Sequence, residues 1–146
     1  MNIKLFFSAT AMAMLLGACA SAPMGDPAQD ATLKTFKAPA QGAGIYIYRN
    51  EIIGAGVKMD VAVDGEPLGY TVAQTYLYTE VTPGKHKITS EAENTSTLEI
   101  DAKPGTLIYV WQEVKAGFLY ARNKLQEVGA QEGRAGVSES KLAVAK

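Results

Sequence analysis

Alternation of apolar and polar residues along most of the chain after Gly44 constrains the fold more than any other feature of the sequence. Val57, Met59, Val61 and Val63, for example, alternate with Lys58, Asp60, Ala62 and Asp64. A repeat of two residues puts neighbouring side chains on opposite faces of a β-strand, so that one face can be buried and the other solvated. The pattern therefore predicts an all-β domain.

Several segments share this alternation, and polar or glycine-containing turns separate them. The predicted strands cover 45–48, 57–64, 76–81, 86–92, 97–102, 107–114 and a less regular segment over 118–128. Asp64-Gly65 is typical of a hairpin turn, and the Pro-Gly pairs at 83–84 and 104–105 are typical of type II turns. Short turns between strands predict an antiparallel β-sandwich or a partly closed barrel. A short C-terminal helix is predicted over 138–145, with Val137 and Leu142 facing inward.

The chain begins with a pattern typical of a secretory signal peptide. Lys4 is followed by an apolar run over 5–16. Spanning a bilayer takes about 20 apolar residues, whereas a shorter run suits the central region of a signal peptide. A transmembrane helix is the alternative interpretation, because the chain stays uncharged as far as Gly25.

Leu16-Gly17-Ala18-Cys19 directly follows this run and resembles the bacterial lipobox. The resemblance implies that the Cys19 thiol receives a lipid and that cleavage falls between Ala18 and Cys19. Two or more acyl chains anchor a protein stably, at about 0.8 kcal/mol per buried methylene group. Ala20 follows Cys19, whereas Asp at that position in enterobacterial lipoproteins resembles a signal for retention in the inner membrane, so the outer membrane is expected. The inner membrane and the cell surface are the alternatives. A buried structural cysteine is the alternative interpretation of Cys19.

The composition changes along the chain divide it into three parts. Residues 1–18 are the predicted signal peptide. Residues 19–43 contain Pro23, Pro27 and Pro39 with many small residues, and they are predicted to form the lipidated cysteine and a flexible tether. Residues 44–146 are the predicted β-sandwich domain. Leu33 and Phe36 are the exceptions in the tether, and we expect them to pack on the edge of the domain.

Two motifs inside the β domain carry a resemblance to known envelope proteins. Val61-Ala62-Val63-Asp64-Gly65 and the later Pro83-Gly84-Lys85-His86 resemble the V-x-V-D-G and P-G-x-H motifs of PEGA-type units. From about Ala43 to Leu142 the chain is also similar to an uncharacterised domain of Gram-negative lipoproteins, a domain of unknown function. The resemblance implies a prealbumin-like or immunoglobulin-like sandwich and brings no established site residues. Tyr70-Thr71-Val72 departs from the PEGA pattern, which has Thr-Pro there.

Composition and motifs exclude several classes of function. A formal net charge of −1 argues against a nucleic-acid-binding protein, and one Cys with one His excludes multi-cysteine and histidine-rich metal centres. We expect no cofactor and no metal. His86 is interpreted as capping the Pro-Gly turn that precedes it. The carboxylate pairs Asp60/Asp64, Glu91/Glu93 and Glu99/Asp101 are interpreted as solvated strand faces, although a converging pair would suit glycoside hydrolysis.

Aromatic side chains on the predicted strands are the candidates for ligand recognition, because flat rings with hydroxyl groups suit sugars and peptides. They are Tyr46, Tyr48, Tyr109 and Trp111, together with Tyr76, Tyr78 and Tyr120. Packing inside the domain is the alternative. The sequence as a whole predicts a non-enzymatic envelope module, held by its N-terminal lipid on the periplasmic face of the outer membrane and binding an envelope protein or glycan. A small carboxylate-dependent hydrolase and a subunit of a larger envelope complex are the alternatives.

Overall fold

The computed structural model describes residues 21–146, so the predicted signal peptide, its cleavage site at Ala18 and Cys19 lie outside the described residues. The described chain is mostly β-structure, in two sheets with two short helices. Its elements are α1 (Pro27–Leu33), β1 (Ala43–Arg49), β2 (Met59–Val63), β3 (Glu66–Thr71), β4 (Thr75–Val81), β5 (Gly84–Glu91), β6 (Thr95–Ala102), β7 (Thr106–Ala116), β8 (Ala121–Val128), α2 (Ala130–Ser138) and β9 (Lys141–Leu142).

The strands form one five-stranded and one four-stranded sheet. The larger sheet has the order β8-β7-β1-β4-β9, and the smaller one has the order β3-β2-β5-β6. Most neighbours are antiparallel, as predicted, but β1 pairs with β7 in parallel and β4 pairs with β9 in parallel. The antiparallel prediction is wrong for these two pairs, because alternation reports which face is buried and carries no information on strand direction.

Two apolar clusters lie on opposite faces of the larger sheet. The first fills the space between the sheets and includes Ile45, Ile47 and Val110 from one sheet and Val61 and Ile88 from the other. The second lies on the outer face of the larger sheet and combines tyrosines with Val137 and Leu142. Every residue of β1 is buried, because this strand is covered on both faces.

The hairpin between β2 and β3 has the expected turn, with Asp64 at φ 51° and Gly65 at φ 83°. Two positive φ angles are what a two-residue turn between twisted strands requires. The strand β3 was not predicted, since Pro67 and Gly69 interrupt its pattern. Pro67 fits because the pairing of β2 with β3 shifts register beside it.

The C-terminal helix exists, but it covers Ala130–Ser138 rather than 138–145. Gly129, Gly133 and Gly136 weaken the helical pattern in the region where the helix lies. The spacing of the apolar residues after Ser140 suggests a helix, but the chain there forms the short strand β9. Val137 and Leu142 are nevertheless both buried, as expected.

The segment predicted as a flexible tether is instead docked on the domain over much of its length. Asp26 caps α1 by accepting a hydrogen bond of 3.0 Å from the Ala28 amide, and Pro27 occupies the first helical position. Met24 forms an antiparallel bridge with Ala143. Proline and alanine are typical of a tether by composition. Here, however, Pro27 begins α1, and other residues of α1 pack against the domain.

Leu33 and Phe36 behave as expected and pack against the tyrosine cluster. Phe36 adopts a positive φ of 53°, which turns the chain after the helix. Its ring lies 5.7 Å from the Tyr46 ring and 6.1 Å from the Tyr109 ring, measured between centroids. The predicted tether therefore contributes to the outer core.

Strand directions define two ends of the domain. We call the end where β1 finishes the loop end, and it carries the connections 50–58, 72–74, 92–94 and 117–120. The start of β4 lies beside the finish of β1, since Arg49 pairs with Thr75, and Met59 pairs with Thr71 on the other sheet. The opposite end, called the base, carries the turns 64–65, 82–83 and 103–105.

Candidate functional site

Five large apolar side chains are exposed at the loop end. They are Ile52 (69% exposed), Ile53 (76%), Phe118 (92%), Leu119 (79%) and Tyr120 (55%). We call this set the apolar tip. Single exposed apolar residues are ordinary on protein surfaces, but a group of this size on neighbouring loops marks an interaction site.

The hairpin of β7 and β8 carries part of the apolar tip beyond the rest of the larger sheet. Tyr48, next to the last residue of β1, pairs with Trp111, and β7 continues from there to Ala116. These five further residues remain paired with β8 as far as Ala121. Arg49, the last residue of β1, lies level with Gln112, so four residues carry the hairpin past the end of β1, or roughly 13 Å at about 3.3 Å per residue.

Glu93 fixes the loop at the end of this hairpin. Its carboxylate accepts hydrogen bonds from the amides of Phe118 at 2.7 Å, Leu119 at 3.1 Å and Tyr120 at 3.1 Å. These backbone hydrogen bonds, the one from Tyr120 foremost, lower the pKa of Glu93, so the side chain is ionised at neutral pH. The loop backbone is therefore held in one conformation while its three large side chains point to solvent.

Arg49 fixes the neighbouring loop that carries Ile52 and Ile53. Its guanidinium is fully buried and donates to the carbonyl of Val57 at 2.7 Å and of Gly54 at 2.5 Å. Burial lowers the pKa of Arg49, and the charge of Glu51 opposes this effect. Glu51 in turn accepts a hydrogen bond of 3.3 Å from the Val114 amide of the projecting hairpin. The two loops of the apolar tip are thus joined.

The N-terminal segment reaches the same end of the domain. The Ser21 carbonyl accepts a hydrogen bond of 3.5 Å from the Tyr70 hydroxyl, and Ser21 lines a surface cavity together with Val72 and Gln74 of the loop end. The Val144 amide donates to the Pro23 carbonyl at 2.8 Å. The chain is consequently held in place from its first described residues.

Asp30 fastens this segment to the outer face of the larger sheet. Its carboxylate accepts hydrogen bonds from the Tyr76 hydroxyl at 2.7 Å, from the Lys34 ammonium at 2.9 Å and from the Leu142 amide at 3.2 Å. Burial opposes the charged form, but the hydrogen bonds from Tyr76 and Lys34 outweigh it and lower the pKa of Asp30. Lys34 also donates to the Ser140 carbonyl at 2.7 Å.

The predicted aromatic ligand-binding face is closed in this structure. Tyr46, Tyr48 and Tyr109 are at most 2% exposed, because α1, Phe36 and α2 cover them. Tyr46 and Tyr109 stack with centroids 5.3 Å apart, and burial raises the pKa of Tyr46 to about 12. Trp111 is half-buried, and its indole Nε1 has no hydrogen-bond partner among the described residues. These rings form a core, which corrects the prediction of an open recognition surface.

His86 lies at the base, far from the apolar tip. Its Nδ1 is 2.5 Å from Asp64 Oδ2, and its Nε2 is 2.7 Å from the Thr82 carbonyl oxygen. The hydrogen bond with Asp64, supported by that with Thr82, raises the pKa of His86. The ring therefore joins the turn before β5 to the β2–β3 turn, close to the structural role expected for it.

The carboxylate pairs proposed from the sequence do not share a pocket. Asp60 lies at the loop-end half of β2, whereas Asp64 lies at the base beside His86. Glu93 accepts hydrogen bonds from the hairpin loop, and Asp101, exposed near the end of β6, pairs with Lys103 at 2.6 Å. Within residues 21–146, no group of three or more His, Cys, Asp and Glu side chains is arranged to hold a metal ion.

Of the apolar tip, sequence reasoning found only Tyr120, as one aromatic candidate on a strand, although the sequence contains a signal for the whole group. Ile52-Ile53 precedes Gly54, and Phe118-Leu119-Tyr120 follows Gly117, so large apolar residues stand where a turn is normally polar. We assigned 118–128 to a strand, but β8 begins only at Ala121. The error concealed the fact that these side chains belong to a loop.

These features define a class of protein: a small two-sheet β domain with a docked N-terminal segment and an apolar loop end. Residues 39–124 match the family described as a protein of unknown function (DUF2846), and the chain belongs to this family. An uncharacterised protein of Haemophilus influenzae is 33% identical over 135 residues, which is 91% of this chain and 80% of that protein. No solved structure matches the chain significantly. No helix within residues 21–146 is long and apolar enough to span a bilayer.

Proposed function

We propose that the chain is a bacterial lipoprotein, anchored through a lipid on Cys19 to the periplasmic face of the outer membrane. The observation that carries this proposal is Leu16-Gly17-Ala18-Cys19 directly after the apolar run over 5–16. Small residues before the cysteine suit a narrow protease cleft, and the thiol supplies the nucleophile that takes up the lipid. The relative in Haemophilus influenzae is bacterial, as this interpretation requires.

The β domain is proposed to be a binding or assembly module rather than an enzyme. The polar groups that most resemble catalytic ones are engaged in turns and loops, as with His86, Asp64 and Glu93. In the apolar tip, by contrast, Glu93 and Arg49 hold the loop backbone while the large apolar side chains are exposed. This contrast supports a protein that acts by contact, and the proposal includes neither a cofactor nor a metal.

The finer description of the fold is also part of the proposal. The apolar core enclosed between the two sheets supports a sandwich of the prealbumin-like or immunoglobulin-like kind. The Val-x-Val-Asp-Gly sequence ending at Gly65 and the Pro-Gly-Lys-His sequence ending at His86 support a relation to PEGA-type units.

Replacing Cys19 tests the anchor directly. In wild-type cells we expect labelled palmitate to enter the protein, and the mature mass to correspond to a chain beginning at a lipid-modified Cys19. In Cys19→Ser we expect no label and a precursor that keeps its N-terminal residues, because serine lacks the nucleophilic sulfur. Ser21→Ala leaves the lipobox intact and serves as the matched control, with normal labelling.

Two results contradict the anchor: label that still enters Cys19→Ser, or a wild-type protein with a free thiol. The membrane is tested separately by density-gradient fractionation of the wild type. Recovery with the outer membrane is the expected result, and recovery with the inner membrane contradicts that part of the proposal.

A further inference from the structure

We infer that the apolar tip inserts into the lipid surface of the same bilayer that holds the N-terminal lipid. The domain then lies on the membrane at two points, the anchor and the projecting hairpin. This inference rests on the proposed lipid anchor and names the occupant of a surface that the proposed function leaves open.

Few residues separate the proposed lipid on Cys19 from the described domain. Only Ala20 separates Cys19 from Ser21, and two residues span at most about 7 Å. The following residues add no reach, because Pro23 and Met24 pair with Val144 and Ala143. A lipid on Cys19 therefore holds the loop end, where Ser21 lies, within a few ångströms of the membrane surface.

The projecting hairpin lies on the side of the domain away from Ser21. Ser21 lies near the β4 and β9 edge, where it lines a cavity with Thr75 and Lys141, and β7 is three strand spacings from β9, or about 14 Å. The hairpin projects roughly 13 Å past the end of β1. One flat surface touches both points if the strands are inclined to it by an angle on the order of 45°. The anchor and the tip together fix this inclination.

The chemistry of the tip suits the boundary between headgroups and acyl chains. Phe118, Leu119, Ile52 and Ile53 offer apolar side chains, and Tyr120 adds a ring with a polar hydroxyl, which favours the membrane interface. Behind them lie the exposed basic residues Lys115 and Arg122, which can keep their charges among the headgroups while their stems cross apolar surface.

The rigidity of the tip favours insertion of a preformed surface. Glu93 accepts from three successive amides of the hairpin loop, and Arg49 holds the carbonyls of the neighbouring loop. Moving the exposed side chains of Phe118 and Leu119 from water into an apolar phase is favourable. Because the loop that carries them is already ordered, little conformational entropy is lost when that contact forms. The short chain to Cys19 brings a lipid phase to that position.

The test places a tryptophan on the tip of the full, lipid-modified chain. Trp111→Phe removes the native reporter and also a buried indole N–H that has no partner among residues 21–146. On this background, Phe118→Trp reports on the tip, and Lys103→Trp, at an exposed base position, is the matched control. Both proteins are reconstituted into vesicles of phosphatidylethanolamine and phosphatidylglycerol, with and without brominated acyl chains.

We expect the tryptophan emission of Phe118→Trp to be shifted to the blue in vesicles, and its intensity to fall when the acyl chains are brominated. Lys103→Trp is expected to show neither change. Vesicle flotation and the mass of the protein report on the anchor in the same samples. If the lipid-modified protein floats with vesicles but Phe118→Trp is not quenched, tip insertion is wrong and the anchor stands. If the natural protein carries no lipid, the anchor fails independently of the quenching result.

A protein partner is the remaining occupant that the test distinguishes. If Phe118→Trp emission is red-shifted in pure vesicles but blue-shifted in native envelope membranes, a partner covers the tip and the lipid inference is overturned. Unchanged circular dichroism and melting temperature across the variants show that the substitutions leave the fold intact, as expected for positions as exposed as Phe118.

Discussion

His86 couples two turns at the base of the domain through one imidazole ring. Its side chain is 11% exposed, whereas that of Asp64 is 48% exposed, so the pair lies at the border of the folded domain. The hydrogen bond with Asp64 raises the pKa of His86, and the same contact lowers the pKa of Asp64. A residue that resembles a general base in the sequence thereby acts as a structural link.

The coupling predicts a defined pH dependence of stability. The raised pKa of His86 gives stabilisation that is complete below its ordinary value of 6.5 and is lost as the pH rises through the raised value. The lowered pKa of Asp64 gives stabilisation present above 3.8 and lost as the pH falls through the lowered value. We therefore expect His86→Gln to lower the free energy of unfolding most between pH 3.8 and pH 6.5, the ordinary pKa values of the two groups.

Urea unfolding of wild type and His86→Gln, repeated across this pH range and up to about pH 9, measures the effect. Lys124→Gln, an exposed substitution on β8, is the control and is expected to show a small difference that does not follow the titration of His86. A His86→Gln difference that stays constant from acid to alkaline pH contradicts the coupling.

At the scale of elements, α2 approaches the larger sheet more closely than side chains normally permit. A Cβ atom added at Gly136 would lie 2.1 Å from the Tyr48 ring, and one at Gly133 would lie 2.2 Å from the Tyr109 ring. The two glycines are three residues apart and share one helix face. They form the smooth surface on which the tyrosine rings pack.

Gly136→Ala is expected to destabilise the protein by about 1–3 kcal/mol, because the methyl group overpacks the contact with Tyr48. In an exposed helix the same change stabilises by roughly 1 kcal/mol, so the sign of the effect identifies the close packing. Thermal or urea unfolding measures it. Gly129→Ala, at the N-cap of α2 where an added Cβ meets nothing within 4 Å, is the steric control and is expected to lose less than about 1 kcal/mol through the poorer cap. A loss at Gly136 no larger than that at Gly129 would contradict this interpretation.

At the level of elements, the sequence predicts the strands that show a repeating apolar pattern, and it misses the features that depend on contacts between distant residues. Alternation located β1, β5, β6 and β7, and the turn at Asp64-Gly65 was predicted correctly. The parallel partner of β1 and the docking of α1 depend on tertiary packing, which a local pattern does not encode. The candidate site was missed for the same reason: Phe118 continues a strand pattern locally, and only the pairing of Ala116 with Ala121 makes it part of a loop.

At the scale of the whole molecule, one carboxylate brings the two ends of the described chain together. Asp30 of α1 contacts Tyr76 of β4 and the amide of Leu142 in β9, and Gly25 donates to the Leu142 carbonyl at 2.9 Å. The C-terminal residues continue to the smaller sheet, where the Lys146 amide donates to the Leu68 carbonyl at 2.7 Å. N-terminal segment, both sheets and C-terminus are thus linked in one structure.

Asp30→Asn is expected to release the N-terminal segment while the two sheets stay folded. The amide keeps the shape but loses the charge that the Lys34 and Tyr76 contacts favour, at a cost of about 1–3 kcal/mol. Limited proteolysis and hydrogen exchange are expected to show faster cleavage and exchange over 22–36 and 141–143. Asp101→Asn breaks a comparable but exposed pair with Lys103, and its exchange pattern should match the wild type.

Uniform acceleration of exchange across both sheets in Asp30→Asn would contradict this separation, because it would mean that the segment and the sheets unfold as one unit.

The parallel ladder between β1 and β7 sets the order in which the domain can assemble. Ala43 pairs with Thr106, so one of the two partners of β1, the most buried strand, lies far along the chain. Closing so long a loop is slow compared with forming hairpins such as β5–β6. In a chain synthesised from its N-terminus, β4 is available to one edge of β1 well before β7 is available to the other. During that interval the second edge of β1 is open to a strand of another chain, and pairing with β7 closes it.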